Sequence, residues 1–535
     1  MKRKTNVGIV VTMLLALTLF TIPLVTEAEV VGEIRIGVIG PQALTSHWYP
    51  GGMWAGADLA AFEINSTGGV YLSDGPNGAG NYMIRLIKGH EHAITGEGGL
   101  PEPDLAYDEM VRLSDPDQEN CTVVLGGFRT ECVVGGILPA ALEYQIPYFI
   151  NGASTSGLTN ATTRPYVWRI NPVNSTMLFY TIAGGLGGYL LPNKLNPIFG
   201  CDLDGNPATP NQTRVAVLME DLEWTLEMYT YLTHPAIYPS ILGPYANVTY
   251  ADRIPEGTVD CSPWLAQVDS SKARLLIHVF SGLTGVPLMA QFGAMQIKAM
   301  PVGINVLGQL EDHWSSTGGG CDYESILNFA GTRTPIIPGV TDVFWDNFVG
   351  NFSKWPMYTA WGGYDGVHGL AEAFGAIGST DKVLLKAHLE DPLYERHQLN
   401  GKFRYDSNHD VFCNEYWPLW LYGYTRAMIV QWQVQWDGTT PIGGRMEVVC
   451  PVDQIYSKKW AIPPEMYPLV EDINYDGKVD MRDVGTAARA FGSYPGHERW
   501  EKEADINFDN KVDMRDIGSI ARKFGTKISL PPLPC

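Results

Sequence analysis

Near the C-terminus a pattern of alternating oxygen-bearing side chains occurs twice, and it dictates how that end of the chain can fold. Asp472, Asn474, Asp476, Lys478, Asp480 and Asp483 recur 33 residues later as Asp505, Asn507, Asp509, Lys511, Asp513 and Asp516. Over 21 residues from each first Asp, 15 positions are identical. So many carboxylates repel one another in a short loop unless a cation stands between them. Calcium suits this spacing, because a twelve-residue loop offers hard oxygens at positions 1, 3, 5, 9 and 12 and a backbone carbonyl at 7. The reading is two Ca²⁺ ions, one per loop, with the Lys478 and Lys511 carbonyls at position 7. Gly477 supplies the sharp turn at position 6, and Asn510 is the non-glycine residue that best tolerates a left-handed backbone there. Position 12 is Asp where an EF-hand loop carries a bidentate Glu. Each loop leads into a helix with an apolar stripe, Val484, Ala487, Ala488 and Phe491, then Ile517, Ile520, Ala521 and Phe524.

Upstream the texture differs. From Glu33 to Val449, short apolar runs alternate with helical periodicity. Strands are expected at Ile34–Ile39, Tyr82–Ile87, Thr122–Leu125, Tyr148–Ile150, Arg214–Met219, Asn247–Ala251, Leu275–Phe280 and Gly303–Leu307. Helices fall at Met53–Ile64, Leu105–Leu113 and Val133–Tyr144. This βαβ alternation predicts an α/β architecture of two lobes, each a doubly wound parallel sheet, followed by a small all-α module with its two calcium loops. Ligands of such sheets bind beyond the carboxyl ends of the strands. The loops there are rich in Gly, Ser and Thr, at Gly126–Thr130, Asn151–Ser156 and Ser281–Gly285. The expected division is residues 1–28 as a signal peptide or N-terminal anchor, 29–449 as the two-lobe region, 450–468 as a Pro-rich linker, 469–526 as the calcium module and 527–535 as a tail.

Lys2, Arg3 and Lys4 before the uncharged run Val7–Val25, with Thr26 and Ala28 after it, read as an export signal. The same run is long enough for an uncleaved anchor, and both readings stand. Export makes an even count of eight cysteines, with no C-x-x-C pair, read as disulfides, although strand spacing separates Cys121 from Cys132 too far to join them. Seven N-x-S/T triplets suit a secreted glycoprotein. A formal charge of −21 argues against a nucleic-acid partner, which needs a basic footprint.

The paired loops, each with its exiting helix and Asp at position 12, resemble a type I dockerin. The resemblance implies calcium-dependent folding and docking to a cohesin-like protein at the cell surface. Its partner-choosing positions fall on Met481, Arg482 and Arg489 and on Met514, Arg515 and Arg522. The two-lobe region, through Glu33–Pro41, Phe62–Gly69, Val124–Phe128, Ile146–Ile150 and Ala153–Thr159, resembles type I periplasmic binding proteins, in particular leucine/branched-chain amino acid receptors of ABC transporters. That implies ligand contacts at Trp48, Thr130, Ala153 and Thr155 in the first lobe and at Trp224 and Glu311 in the second. Arg129 and Glu131 depart from the small polar residues of the pattern, which points away from an aliphatic amino acid unless they form only a surface pair.

Asp202–Asn206 and Asp406–Asp410 read as turns, and no H-E-x-x-H, G-x-S-x-G or Walker A pattern occurs. The leading expectation is therefore an extracellular, surface-associated solute-binding protein of an ABC importer. It captures an amino acid or similar small polar metabolite, delivers it to a permease and catalyses nothing. The alternatives are a dockerin-borne exported enzyme, glycosidase-like, and a ligand-sensing surface protein.

Overall fold

The computed structural model describes residues 30–41, 52–93, 100–200, 211–328, 333, 337–399, 401–412, 428–437, 440–450, 460–463, 466, 470–474, 478–507 and 509–526. Two twisted sheets organise the larger region. The first contains β1 (Val30–Gly40), β2 (Val70–Leu72), β3 (Gly80–His90), β4 (Val123–Gly126), β5 (Tyr148–Ile150) and β6 (Val167–Arg169), in the order β2-β3-β1-β4-β5-β6. All its pairings are parallel except that of β2 with β3. The second contains β7 (Thr213–Glu220), β8 (Ala246–Ile254), β9 (Leu275–Phe280), β10 (Met300–Asn305) and β11 (Ser325–Asn328), edged by β14 (Met428–Asp437) and β15 (Thr440–Cys450). Its order is β15-β14-β11-β10-β9-β7-β8. The parallel parts share one winding, each reversing direction beside its first strand, and that reversal opens a crevice at the strand ends.

The chain passes from the first lobe to the second, returns, and crosses again. Helix Tyr358–Ile377 comes back to pack on helix Met53–Ser66 of the first lobe, where Gly56 lies against the Ala360 carbonyl and Gly363 against that of Met53. A hairpin of β12 (Arg396–Gln398) and β13 (Gly401–Phe403) follows before β14 and β15 finish the second sheet antiparallel. The cores of both lobes are continuous through this crossing, from Ile36 and Trp168 to Val217 and Ile277.

Several expectations needed adjustment. The fourth strand of the second lobe starts at Met300, not Gly303, and Leu307–Gln309 is a 3₁₀ turn. Pro301 within it argues locally against a strand, yet pairing with β9 on one side and β11 on the other carries it. The strands β14 and β15 went unpredicted, although Gln431-Trp432-Gln433-Val434-Gln435 alternates with the strand period. Within 450–468, Trp460 Nε1 donates to Ser325 Oγ at 3.0 Å, and Gln431 exchanges hydrogen bonds with the Ala461 backbone. Trp460, Ile462 and Met466 thus belong to the main core. Cys121, Cys132, Cys261 and Cys321 are buried free thiols with no bridge among them. Burial pushes the Cys121 and Cys261 thiols up to about 12 and about 11. Cys201, Cys413 and Cys535 lie outside the described residues, as do Asp202–Asn206 and the run Val7–Val25. Among the described residues no helix is long and apolar enough to cross a membrane.

Candidate functional site

The strand-end loops of both lobes meet around a cleft with an empty volume of about 500 Å³. Phe128, Arg129 and Thr130 enter from the loop after β4, Gly152 and Ser154 from the loop after β5, and Ser281 from the loop after β9. Ile304, Val306, Gln309 and Leu327 line it from the second lobe, with Val173, Leu178, Trp224 and Tyr358 on the segments joining or flanking the lobes. The Gly126–Gly127 turn makes the first loop possible. Both residues have positive φ, 133° and 84°, and a Cβ on Gly126 would strike the Ile39 carbonyl.

Beneath these loops sit two buried ionisable side chains. Glu91 is fully enclosed and accepts the Phe128 amide through both carboxylate oxygens, at 2.7 and 2.8 Å, and the Arg129 amide at 2.6 Å. Burial pushes its carboxyl up to about 8, and those amides pull the other way without offsetting it. Because this value stands above that of an unfolded carboxylate, the stability it confers is complete in acid and is lost as pH rises through about 8. Wild-type protein should therefore lose up to about 1.4 kcal/mol per pH unit between about 4.5 and about 8 and nothing further from this group above that, and Glu91→Gln should flatten the slope within that window. Parallel stability–pH curves for the two proteins in calorimetric melts would refute this. Arg169, also fully buried, donates to the Ala153 carbonyl and, at 3.0 Å, to that of Thr155, and its Nε lies 3.0 Å from Asp410 Oδ1. Asp410 in turn accepts from Thr159 Oγ1 and Asn174 Nδ2. The Asp406–Asp410 segment is a turn, as its sequence suggests, with Asp406 Oδ1 accepting the Asn408 and Asp410 amides. Its last residue anchors the cleft loop from below.

Across the cleft mouth, the Arg129 guanidinium forms a two-pronged ion pair with Glu256 of the second lobe, Nη2 to Oε2 at 2.9 Å, while its Nε donates to Glu131 at 3.1 Å. Arg129 is only 4% exposed, so this is a buried tie between lobes and not the surface pair weighed from the sequence. Burial opposes its charge, and the two carboxylates more than offset that, so Arg129 stays protonated.

In the C-terminal module the described parts of the two acidic loops are near copies. Asp480 Oδ1 accepts the Arg482 amide and Asp483 Oδ2 the Asp480 amide, both at 2.7 Å; Asp513 and Asp516 repeat this at 2.7 Å. These boxes start helices Met481–Ala490 and Met514–Lys523. Val512 of the second loop pairs with Gly492 and Ser493 after the first helix, and Val479 of the first loop pairs with Gly525 and Thr526 after the second. The halves thus clasp each other about a pseudo-twofold axis. Asn510 has φ 62°, as position 6 requires. The donors fit a hard cation: Asp472, Asp483, Asp505 and Asp516 are buried, and burial, followed by the charges of Asp516 and Asp509, pushes the Asp505 carboxyl up to about 6. Asp476 lies outside the described residues.

The family model for the dockerin type I domain matches residues 470–525. Residues 470–525 carry a type I dockerin domain. The described residues of the larger region before it have the two-lobed fold of type I periplasmic binding proteins. An ABC transporter substrate-binding protein from Sphaerobacter thermophilus aligns at TM-score 0.57 and 15% identity, covering 77% of this chain and 96% of that one. A type 1 periplasmic binding protein from Bordetella pertussis gives 0.59, 15%, 78% and 100% for the same four measures. A branched-chain amino acid transporter substrate-binding protein from Streptococcus pneumoniae, in complex with isoleucine, gives 0.55, 14%, 78% and 99%. No curated protein matches the chain.

Of the ligand contacts implied by resemblance, Thr130 and Trp224 line the cleft. Thr155 stands just behind, donating to Thr130 Oγ1 at 3.1 Å. Ala153 is fully buried and its amide is spent on the Gly127 carbonyl. Glu311 pairs with Lys354 at 2.7 Å and accepts the Trp355 amide, and it does not line the cleft. Trp48 lies outside the described residues. Sequence reasoning missed Gln309 and Tyr358, joined by a 3.0 Å hydrogen bond from the Tyr358 amide to Gln309 Oε1. Neither carries a local signal, since only the return of the chain brings helix Tyr358–Ile377 to the cleft.

In the dockerin, Met481 and Met514 are 65% and 66% exposed, and Arg482, Arg489, Arg515 and Arg522 are exposed too. The expected apolar stripes hold only in part. Ala487 and Ile520 are buried and Val484 and Ile517 half-buried, whereas Ala488, Ala521, Phe491 and Phe524 are exposed. Phe491 and Phe524 are the C-caps, where the chain turns away to clasp the opposite loop.

Proposed function

We propose that the chain is an extracellular solute-binding protein that closes two lobes over a small polar metabolite and presents it to an ABC permease. Its dockerin binds two Ca²⁺ ions and holds it to a cohesin-like surface protein. The observation that carries the solute reading is the cleft, walled by strand-end loops from both lobes and tied across its mouth by Arg129 and Glu256. Hydroxyls, one amide, the paired Arg129 guanidinium and apolar side chains line it, which suits capture of a small molecule. A glycosidase would need two carboxylates facing the substrate, and here Glu131 and Glu256 are engaged by Arg129. Solved neighbours hold isoleucine, leucine and benzoate, which supports capture in place of chemistry.

The test is a thermal-shift screen of amino acids, short peptides, amides and sugars. A ligand at a hundredfold excess over its dissociation constant should stabilise the protein by about 2.7 kcal/mol. A flat screen at millimolar concentrations would sink the reading.

For the dockerin, the calcium ligands are Asp472, Asn474, Asp476, Asp480 and Asp483 with the Lys478 carbonyl, and their counterparts Asp505, Asn507, Asp509, Asp513 and Asp516 with the Lys511 carbonyl. The bound ions would neutralise the clustered acids and fix each loop. The near-symmetry leaves two equivalent faces for one partner. Replacing Met and Arg on one face should cost only about 0.4 kcal/mol, the statistical factor of two, whereas replacing both should cost several kcal/mol. Buried Ala490 against exposed Lys523 is the asymmetry that would bias the choice. Loss of calorimetric binding on mutating either face alone would show that the faces act together.

A further inference from the structure

The cleft chemistry narrows the solute class, an inference that rests on the solute-capture reading. We propose that the cleft selects an uncharged solute with an apolar body and disfavours free amino acids and carboxylates, and that Glu256 sets this preference through Arg129.

Arg129 is the one charged side chain among the described residues that line the cleft. Its cation is shared by two carboxylates, Glu131 and Glu256, so the group as a whole carries a net negative charge. A third acid stands behind it. A Cβ placed on Gly282 would lie 2.7 Å from Glu220 Oε1 and 3.0 Å from Glu256 Oε1, which puts these two carboxylates on either side of one small residue. Glu220 is fully buried, accepts the Ser281 and Gly282 amides through Oε2, and leaves Oε1 without a hydrogen-bond partner. An incoming carboxylate would therefore meet a guanidinium already over-supplied with negative charge.

Three of the backbone amides beside the cleft are already taken. The Phe128 and Arg129 amides are spent on Glu91, and the Ala153 amide on the Gly127 carbonyl. An ammonium fares no better. Among the described residues no acid lines the cleft, and Asn305, at the end of β10, is committed through Nδ2 to Glu324 and through Oδ1 to the Gly308 amide. Burying either charge without a partner is costly, so charged solutes lose more on entry than neutral ones.

A neutral solute is well served. Ser281 Oγ accepts from Trp224 Nε1 at 3.3 Å, and Gln309, whose Oε1 takes the Tyr358 amide, keeps Nε2 as a donor. Arg129 uses only one N–H of each terminal nitrogen on Glu256, which leaves donors for a carbonyl or hydroxyl oxygen. Leu178, Val306 and Leu327 supply an apolar wall for the remainder.

Calorimetry on the full chain with matched probes tests this: benzamide against benzoate, and N-acetyl-leucinamide against leucine. In each pair the neutral member should bind about tenfold or more tightly than its charged counterpart. Glu256→Gln removes one carboxylate from Arg129, so benzoate should tighten about fivefold or more while benzamide stays within about twofold. Tighter binding of leucine or benzoate than of their neutral partners to the wild-type protein overturns the proposal, and that comparison needs no variant to fold. Binding of none of the four also overturns it. If the solute-capture reading is itself wrong, the thermal-shift screen is flat as well. A screen that responds to charged solutes alone sinks this inference and leaves that reading standing.

Discussion

Chelating calcium is expected to erase the helical circular dichroism signal of the isolated segment 468–526. The shared core of the two halves rests on Ile473, Val479, Ile506, Val512 and Ile520 with a few alanines, too little apolar surface to hold a unit of this size by itself. Against it stand four buried aspartates, Asp472, Asp483, Asp505 and Asp516. The upward shift of Asp505, caused first by burial and then by Asp516 and Asp509, shows the penalty that a cation would relieve. Each ion at a hundredfold excess over its dissociation constant adds about 2.7 kcal/mol, so two add about 5, comparable to the whole stability of a small domain. Asp472→Ala combined with Asp505→Ala should mimic the chelator. A spectrum unchanged by EDTA would show that the loops fold without metal.

The second large effect is expected at Arg169. Replacing it by Leu leaves the Ala153 and Thr155 carbonyls without their donor and strands Asp410, whose side chain is 8% exposed, with only the Val411 amide, Thr159 and Asn174 as neutral donors. Removing one partner of a buried ion pair costs about 3–5 kcal/mol, because the remaining charge stays desolvated. Denaturant melts of the two-lobe region should show a loss of that size, and solute binding should weaken as well, since the freed loop carries Gly152 and Ser154 into the cleft. A loss below about 1 kcal/mol would mean that other groups take over the role of Arg169. Asp410→Asn should cost less, because a neutral amide can still accept from Arg169.

The sequence foretold the strand-end loops well. Gly126–Thr130, Asn151–Ser156 and Ser281–Gly285 all reach the cleft, because Gly-rich, Ser-rich turns after apolar runs mark the carboxyl ends of parallel strands whatever their neighbours are. It foretold the dockerin better still, since the calcium loop packs its chemistry into consecutive residues and the left-handed turn at Asn510 follows from position alone. Arg129 was left open. With Glu131 it read either as a departure that bears on the ligand or as a surface pair, and nothing local announces that Glu256, on the other lobe, closes over the guanidinium. Phe491 and Phe524 failed similarly, because helical periodicity extends the stripe past the point where each helix ends.

What the sequence determined by itself is therefore what short-range physics dictates: hydrophobic period, turn chemistry, and the oxygen spacing of a metal loop. The tertiary structure alone decided which lobes' loops face each other, that Glu91 and Arg169 lie buried beneath them, and that Gln309 meets Tyr358. Those outcomes depend on contacts between residues 14 to 241 positions apart. Their energies come from burying paired charges and apolar surface that no local window of sequence contains.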